Sequence, residues 1–294
     1  MTRSSTRDTR RKTGIYRGGK DDVPIPGRAR VVMVHDASRP IGRAVALALA
    51  DRGQCVLACG EDGMMLADLP RETALGGVVE VSSARPGERV TRALSLFGRV
   101  DAVVAVAELE ALHLFGRFGD QAAVTALELG LVAPMHFVQE ASSQLTLKRR
   151  GRIVFVNALP ALPLAAPAAA ARAGIDGLAE SLRLELLPVG IAVIVVAPEI
   201  AAPPPPSPTP RDALEAALAA MPAQSPELAL AGPLRALVDQ ASTHAAIAAA
   251  TVQALLEERP KPRLVVRAER RWSMISRNAR AGLERAAAKP SKTR

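Results

Sequence analysis

Aromatic residues are scarce in this 294-residue chain: phenylalanine, tryptophan and tyrosine make up 2% of it, with one Trp and one Tyr. The core must therefore be built from aliphatic and small residues, which dominate the 49% of the chain that is hydrophobic. Cysteine is equally scarce. Cys55 and Cys59 are the only two, and their spacing along one predicted extended strand is too long for a disulfide. This usage favours a reducing compartment, and we expect a cytoplasmic protein.

Several common signatures are also missing. The chain has no CxxC pair and no HExxH sequence, so no metal site is indicated. Residues 1–30 have no apolar run of the kind that forms a secretory signal peptide. The uncharged stretch 153–171 contains Pro160, Pro163 and Pro167. We therefore expect a buried strand and an Ala-rich helix there, and no transmembrane segment.

The positive charge is concentrated at the two ends of the chain. Residues 1–30 carry a net charge of +6, residues 257–294 carry +8, and residues 31–256 carry −5. Basic ends favour an anionic partner, either nucleic acid or a membrane surface, to which the protein would be peripherally bound. The alternative is that they only increase solubility. We expect residues 1–28 to be a disordered basic arm, and residues 268–294 to be a basic amphipathic helix and tail.

The stretch RVVMVHDASRPIG, residues 30–42, organises the rest of the sequence. Val31–Val34 is an apolar run that suits a strand buried on both faces. A short polar turn follows, and from Ile41 onward the apolar spacing is that of a helix packed on a sheet. A strand, a tight turn and a helix begin a dinucleotide-binding fold, in which turn glycines let the backbone approach a pyrophosphate. Only Gly42 stands where three glycines are expected.

Further apolar runs alternate with helical patterns along the chain. They predict an α/β fold: a Rossmann-like doubly wound parallel sheet of six or seven strands with helices on both faces. A single domain is expected over residues 29–267. Within it, residues 201–242 begin with the sequence AAPPPPSPTP and are expected to form a Pro-rich and helical insertion over the cleft. The predicted strands after the first are residues 54–59, 77–81, 101–107, 152–157, 191–197 and 263–267.

Five segments in the expected order resemble the short-chain dehydrogenase/reductase family across residues 30–198, and more weakly to residue 267. HDASRPIG resembles the cofactor turn, usually TGASxGIG, and FGRVDAVVAVAE resembles the segment that usually ends in NNAG. GRIVFVNA resembles the strand that leads to the catalytic serine. ARAGIDGLAESLRLEL resembles the helix after the catalytic YxxxK, and VAPE resembles the usual PG after the sixth strand. The resemblance implies a Rossmann fold and NAD(P)-dependent oxidoreductase ancestry.

The same resemblance implies that every catalytic residue has been replaced. The family's asparagine, serine, tyrosine and lysine correspond to Gly130, Ala158, Ala168 and Arg172. A register shift of one residue would place the serine at Asn157. The only tyrosine, Tyr16, lies in the string YRGGK, where Gly18 and Gly19 disfavour the helix that the catalytic pair needs.

The predicted cofactor site retains part of the family pattern. Asp36 and Pro40 replace two glycines of the turn, and Glu108 replaces the glycine of NNAG. Glu108 and Glu199 also allow a paired-carboxylate site as an alternative. Arg39 matches the basic residue with which NADP-preferring members bind the 2′-phosphate. Two alternatives stay open: NADP binds weakly, or cofactor binding has been lost. The cofactor-binding positions that the resemblance implies are Ser38, Arg39, Ile41, Gly42, Glu80 and Val81.

Three functional hypotheses follow. The first is a pseudoenzyme, a scaffold or regulatory partner in a homo-oligomer or hetero-oligomer that pairs through the helices near 120–147 and 167–187. The second is a divergent NADP-dependent oxidoreductase with a relocated acid. The third is a module that uses the fold as a platform for binding an anionic surface.

The third hypothesis predicts salt-sensitive binding to anionic vesicles or nucleic acid that is lost when residues 257–294 are deleted. The physical reason is that bound cations release counterions from the anionic surface, which makes the affinity fall with salt. Co-sedimentation at two salt concentrations measures it. Binding that does not change on deletion would contradict the hypothesis.

Overall fold

The computed structural model describes residues 29–69, 78–82, 85–108, 120–159, 165–198, 210–238 and 241–266. The predicted basic arm, the predicted basic helix and tail, Tyr16, most of the Pro-rich run and Glu199 lie outside the described residues. Among the described residues, no helix is both long and apolar enough to cross a membrane.

One sheet of seven parallel strands forms the centre of the described chain, in the order β3-β2-β1-β4-β5-β6-β7. This confirms the predicted Rossmann-like α/β fold. The first strand, β1, lies inside the sheet, and the chain continues through β2 to β3 at one edge. It then crosses back to β4 on the other side of β1, so the strand order reverses between β1 and β4. Ligands of open α/β sheets bind at such a reversal. The strands are β1 Val31–Val34, β2 Cys55–Cys59, β3 Val78–Ser82, β4 Ala102–Ala107, β5 Gly151–Asn157, β6 Ile191–Pro198 and β7 Arg263–Val266.

Helices connect the strands and cover both faces of the sheet. They are α1 Pro40–Ala50, α2 Gly63–Ala67, α3 Arg89–Phe97, α4 Asp120–Leu127, α5 Ala133–Lys148, α6 Ala166–Leu186, α7 Pro210–Ala219, α8 Ala231–Val238 and α9 His244–Leu256. The continuous helix expected over residues 120–147 is in fact α4 and α5 joined by a π-helical turn, Glu128–Val132. Gly130, the position of the family's asparagine, lies inside this turn. Such turns frequently mark functional sites.

Alternation along each strand separates two apolar layers. In β1, Val31 and Met33 face the layer covered by α3, α5 and α6, and Val32 and Val34 face the layer covered by α1 and α9. All four are fully buried, as expected for a parallel strand that is covered on both faces. The core consists mainly of Ala, Val, Leu and Ile, with Phe97, Phe137 and Phe155 as its largest buried side chains.

The two helices of the predicted insertion pack against each other. α7 and α8 share a small apolar cluster that includes Leu214, Leu218 and Leu234, apart from the two layers of the sheet. Within the predicted insertion, a 3₁₀ turn, Pro226–Leu230, directly precedes α8. The position of this insertion over the cleft stays a prediction. Because β7 pairs with β6, a deletion that removes the basic tail should begin after Val266.

Truncation of the central phenylalanine tests this core. Phe155 is fully buried in β5, between two neighbouring strands, so Phe155→Ala leaves a cavity and should lower the free energy of unfolding by about 3–5 kcal/mol. Urea denaturation measures the change. Leu147→Ala is the control, because Leu147 is 78% exposed and its truncation should stay within about 0.5 kcal/mol. Equal effects would contradict this packing.

Candidate functional site

A cleft of about 500 Å³ opens where β1 and β2 end, beside the reversal of strand order. The turn between β1 and α1 forms one wall with Ser38 and Arg39, two of the residues predicted to bind cofactor. Cys59, the last residue of β2, and Gly60, the residue after it, lie on the next wall. The helical side is formed by residues of α3, the π-helical turn and α5, among them Arg89, Glu128 and His136. The cleft therefore presents charges of both signs.

The β1–α1 turn keeps a glycine-type conformation without its first glycine. Asp36 has a φ of 54°, in the left-handed region that aspartate tolerates better than most residues. Its carboxylate lies 3.2 Å from Arg39 Nε, and it accepts a hydrogen bond from Ser38 Oγ at 3.5 Å. At Gly42, an added Cβ would stand 2.3 Å from the Asp36 carbonyl oxygen. Glycine is therefore required at Gly42, and the turn holds Arg39 against its own acid.

The N-terminus of α1 binds the carboxylate of Glu108, the residue directly after β4. The backbone N–H of Ile41 donates to Glu108 Oε2 at 3.1 Å, and Glu108 is only 8% exposed. Glu108 is the residue that replaces the glycine of NNAG. The preceding residue, Pro40, has no N–H to offer, and the Arg39 N–H donates to the Asp36 carbonyl at 3.0 Å. A buried internal anion thus lies at the helix end where phosphates bind in proteins of this fold.

Three of the four catalytic positions implied by the resemblance are buried and apolar. Gly130, Ala158 and Ala168 are all buried. At Gly130, an added Cβ would stand 3.0 Å from the Ala171 Cβ and 3.1 Å from a methyl carbon of Leu159. Leu159 is fully buried. The space beside the family's asparagine position is therefore filled by packed side chains, a role for Leu159 that the sequence did not indicate.

Arg172, at the position of the family's lysine, binds backbone carbonyls at the ends of two strands. Its Nη1 donates to the carbonyl oxygens of Asn157, at 3.1 Å, and Leu159, and its Nη2 donates to that of Pro198 at 3.0 Å. Asn157 ends β5 and Pro198 ends β6. A guanidinium keeps its charge across the physiological pH range and does not transfer protons. The side chain therefore joins strand ends, a structural role.

Asn157, the last residue of β5, also forms hydrogen bonds to α6. Its Nδ2 donates to the Arg172 carbonyl oxygen and to Asp176 Oδ1, both at 3.0 Å. Asp176 also pairs with Arg263 Nη1 at 2.8 Å. The sequence did not indicate Asp176, because its partners lie on β5 and β7. The Asn157 Oδ1 is buried without a hydrogen-bond partner in the described part of the chain.

Burial holds His35, Cys55 and Cys59 in their neutral forms. Burial lowers the pKa of His35 to about 4, with smaller contributions from the positive charges of Arg89 and Arg39. The His35 ring packs on Phe137 at 4.9 Å, and its Nδ1 lies 3.0 Å from the Val106 carbonyl oxygen. Burial raises the pKa of Cys55 to about 11 and that of Cys59 to about 12. At neutral pH these groups therefore supply neither a cationic acid nor a thiolate.

The remaining predicted positions are placed as follows. Ile41 and Gly42 lie in the first turn of α1. Glu80 and Val81 lie in β3, where their backbones pair with Leu57 and Ala58 of β2. In the described ranges, no group of three or more His, Cys, Asp or Glu residues is arranged to hold a metal ion. The alternative paired-carboxylate site required Glu199, which lies outside those ranges.

Comparison with known proteins places this geometry in a family. The family model for short chain dehydrogenases matches residues 30–206. A (2S)-[(R)-hydroxy(phenyl)methyl]succinyl-CoA dehydrogenase subunit, BbsC of Thauera aromatica, is 30% identical over 176 residues, covering 57% of this chain and 70% of that protein. The 3-oxoacyl-[acyl-carrier-protein] reductase FabG of Escherichia coli is 31% identical over 176 residues, covering 58% and 72%.

A solved structure shows the same fold. The alcohol dehydrogenase of the archaeon Thermococcus sibiricus, complexed with 5-hydroxy-NADP, superposes with a TM-score of 0.61 at 17% identity, covering 83% of this chain and 98% of that one. The present chain therefore belongs to the short-chain dehydrogenase family. NAD(P) is a ligand of this family, and oxidoreductase chemistry is the activity of the named relatives.

The neutral state of His35 makes stability depend on pH. The folded pKa of about 4 lies below the usual 6.5, so between these values the unfolded chain takes up a proton that the folded one does not. Stability should fall by up to about 3 kcal/mol as the pH drops from 7 to 4. His35→Gln should remove this component and flatten the pH dependence. Urea unfolding of both proteins at several pH values measures it, and parallel pH curves would contradict it.

Proposed function

We propose that this chain is a short-chain dehydrogenase family member that has lost hydride transfer and acts as a non-catalytic subunit or scaffold. The observation that carries the proposal is the bonding of Arg172. Where the family has the lysine that supports its catalytic tyrosine, this guanidinium donates to three backbone carbonyls at the ends of β5 and β6. The group is committed to holding the fold together.

The chemistry of carbonyl reduction supports the same conclusion. Hydride addition to a carbonyl carbon leaves negative charge on the oxygen, which needs a positioned proton donor in the transition state. Ala168 offers a methyl group at the tyrosine position, and Ala158 offers another at the serine position. Leu159 occupies the space beside Gly130. The buried residues at these positions contain no exchangeable side-chain proton.

An oligomeric role is supported by the outer faces of α4 and α6. Val124 and Leu184 are 54% and 67% exposed, although such large apolar side chains are costly to leave in water. Along α6, small residues at helical spacing stand exposed, so a second helix could approach its backbone closely: Ala166, Ala170, Ala173 and Gly177. The relative BbsC is named as a subunit of a dehydrogenase. We propose that this chain pairs through these helices with itself or with an active relative.

A second candidate is a divergent NADP-dependent oxidoreductase with a relocated acid. The favouring observations are Ser38 and Arg39 in the wall of the cleft and the 31% identity with a reductase. This candidate requires binding of NADPH together with turnover, so a single kinetic assay separates the two. The anionic-surface hypothesis depends on the basic ends and stays a prediction.

Kinetics and stability of Arg172→Lys test the proposal. The unaltered protein, given NADPH and a 3-oxoacyl thioester, should oxidise no NADPH above background. Arg172→Lys should not create activity, and it should lower the free energy of unfolding by about 1–3 kcal/mol, because a single ammonium cannot reach all three carbonyls. The matched control is Arg92→Lys on the exposed face of α3, expected to be neutral. Turnover near the usual enzymic rate of roughly 1 s⁻¹ or more would overturn the proposal.

A further inference from the structure

We propose that Glu108 is an intramolecular anion that occupies the phosphate-binding end of α1, and that this residue prevents the chain from binding the pyrophosphate of a dinucleotide. The inference rests on the proposed function, because both treat this chain as a non-catalytic member of the family. It concerns cofactor binding, however, whereas the proposed function concerns hydride transfer, and the two are tested separately.

Two of the backbone donors around the start of α1 are already used within the chain. An α-helix begins with backbone N–H groups that lack intrahelical partners, and these groups form its anion site. Here Ile41 N–H donates to Glu108 Oε2 at 3.1 Å, and Arg39 N–H donates to the Asp36 carbonyl at 3.0 Å. Pro40 has none. A bound phosphate would have to displace the Glu108 carboxylate to obtain the Ile41 N–H.

The burial of Glu108 makes that displacement costly. The residue is 8% exposed. A carboxylate buried away from water is stable only while it keeps its hydrogen bonds, so loss of the Ile41 N–H would cost free energy. The helix N-terminus stabilises it twice, through the N–H donor and through the positive end of the helix dipole. Glu108 and a phosphate therefore compete for one position, and both are anions.

The turn between β1 and α1 does not make the binding of a phosphate easier. Asp36 places a second carboxylate at the same turn, where it holds Arg39 at 3.2 Å. The arginine that matched an NADP-binding residue is thus paired inside the turn. The cleft remains open on the side of β2, around Cys59, Gly60 and Glu61. A ligand of this cleft would therefore be one that carries no phosphate at the start of α1.

Calorimetric titrations with inorganic pyrophosphate and with NADP⁺ test the role of Glu108. Glu108→Ala should bind both probes at least tenfold more tightly than the unaltered protein, because the Ile41 N–H is freed and a negative charge is removed. Glu108→Gln keeps an acceptor oxygen without the charge and should gain less than Glu108→Ala. The matched control is Glu61→Ala, which removes a carboxylate from the same cleft without freeing a helix donor, and should change either affinity by less than about threefold.

Equal affinity of Glu108→Ala and the unaltered protein for both probes would overturn the inference, and so would a gain of the same size in Glu61→Ala. If Glu108→Ala fails to fold, the unaltered protein still decides the matter. The Ile41 amide resonance should not move as pyrophosphate is added to millimolar concentration, whereas a saturable shift of that resonance would show the helix end to be open.

The outcomes for binding and for chemistry are separable. If the Glu108→Ala variant binds NADPH but does not oxidise it in the presence of a 3-oxoacyl thioester, both the inference and the proposed function are supported. Oxidation of NADPH by that variant contradicts the loss of the catalytic groups on which the proposed function is argued, and leaves the inference standing. Absence of any gain in binding overturns the inference alone.

Discussion

The guanidinium of Arg172 holds together the region from which this family normally works. By donating to carbonyl oxygens of Asn157, Leu159 and Pro198, it ties the carboxyl ends of β5 and β6 to α6. Charge-assisted hydrogen bonds to several carbonyls are strong, and their removal leaves buried acceptors unpaired. The Arg172 side chain therefore connects α6 to the ends of β5 and β6.

Other changes in the region have the same consequence. Leu159 packs against Gly130, and the buried Glu108 reaches the first turn of α1. The resemblance assigns an asparagine to the position of Gly130 and a glycine to the position of Glu108. The turn itself survives, because Asp36 adopts the left-handed conformation and Gly42 allows the close approach. The fold therefore retains the shape of a cofactor turn while using several of its backbone N–H groups internally.

The sheet was predictable because its signal is local. Runs such as those of β1, β4 and β6 are apolar and β-branched, and a strand covered on both faces must read that way. The observed strands begin or end within a residue of the predicted bounds. The π-helical turn at Glu128–Val132 was not predictable, because a single extra residue per turn barely alters the spacing of apolar positions.

The sequence alone determined the parallel sheet and the family, since these depend on local pattern and residue identity. The tertiary structure decided which backbone groups the side chains of Glu108 and Arg172 contact. Glu108 and Ile41 lie 67 residues apart in sequence, and Arg172 meets Pro198 across 26 residues. Such pairs form only when parallel strands bring their carboxyl ends to one edge of the sheet, and no periodicity in the sequence records which side chain will reach which backbone group there.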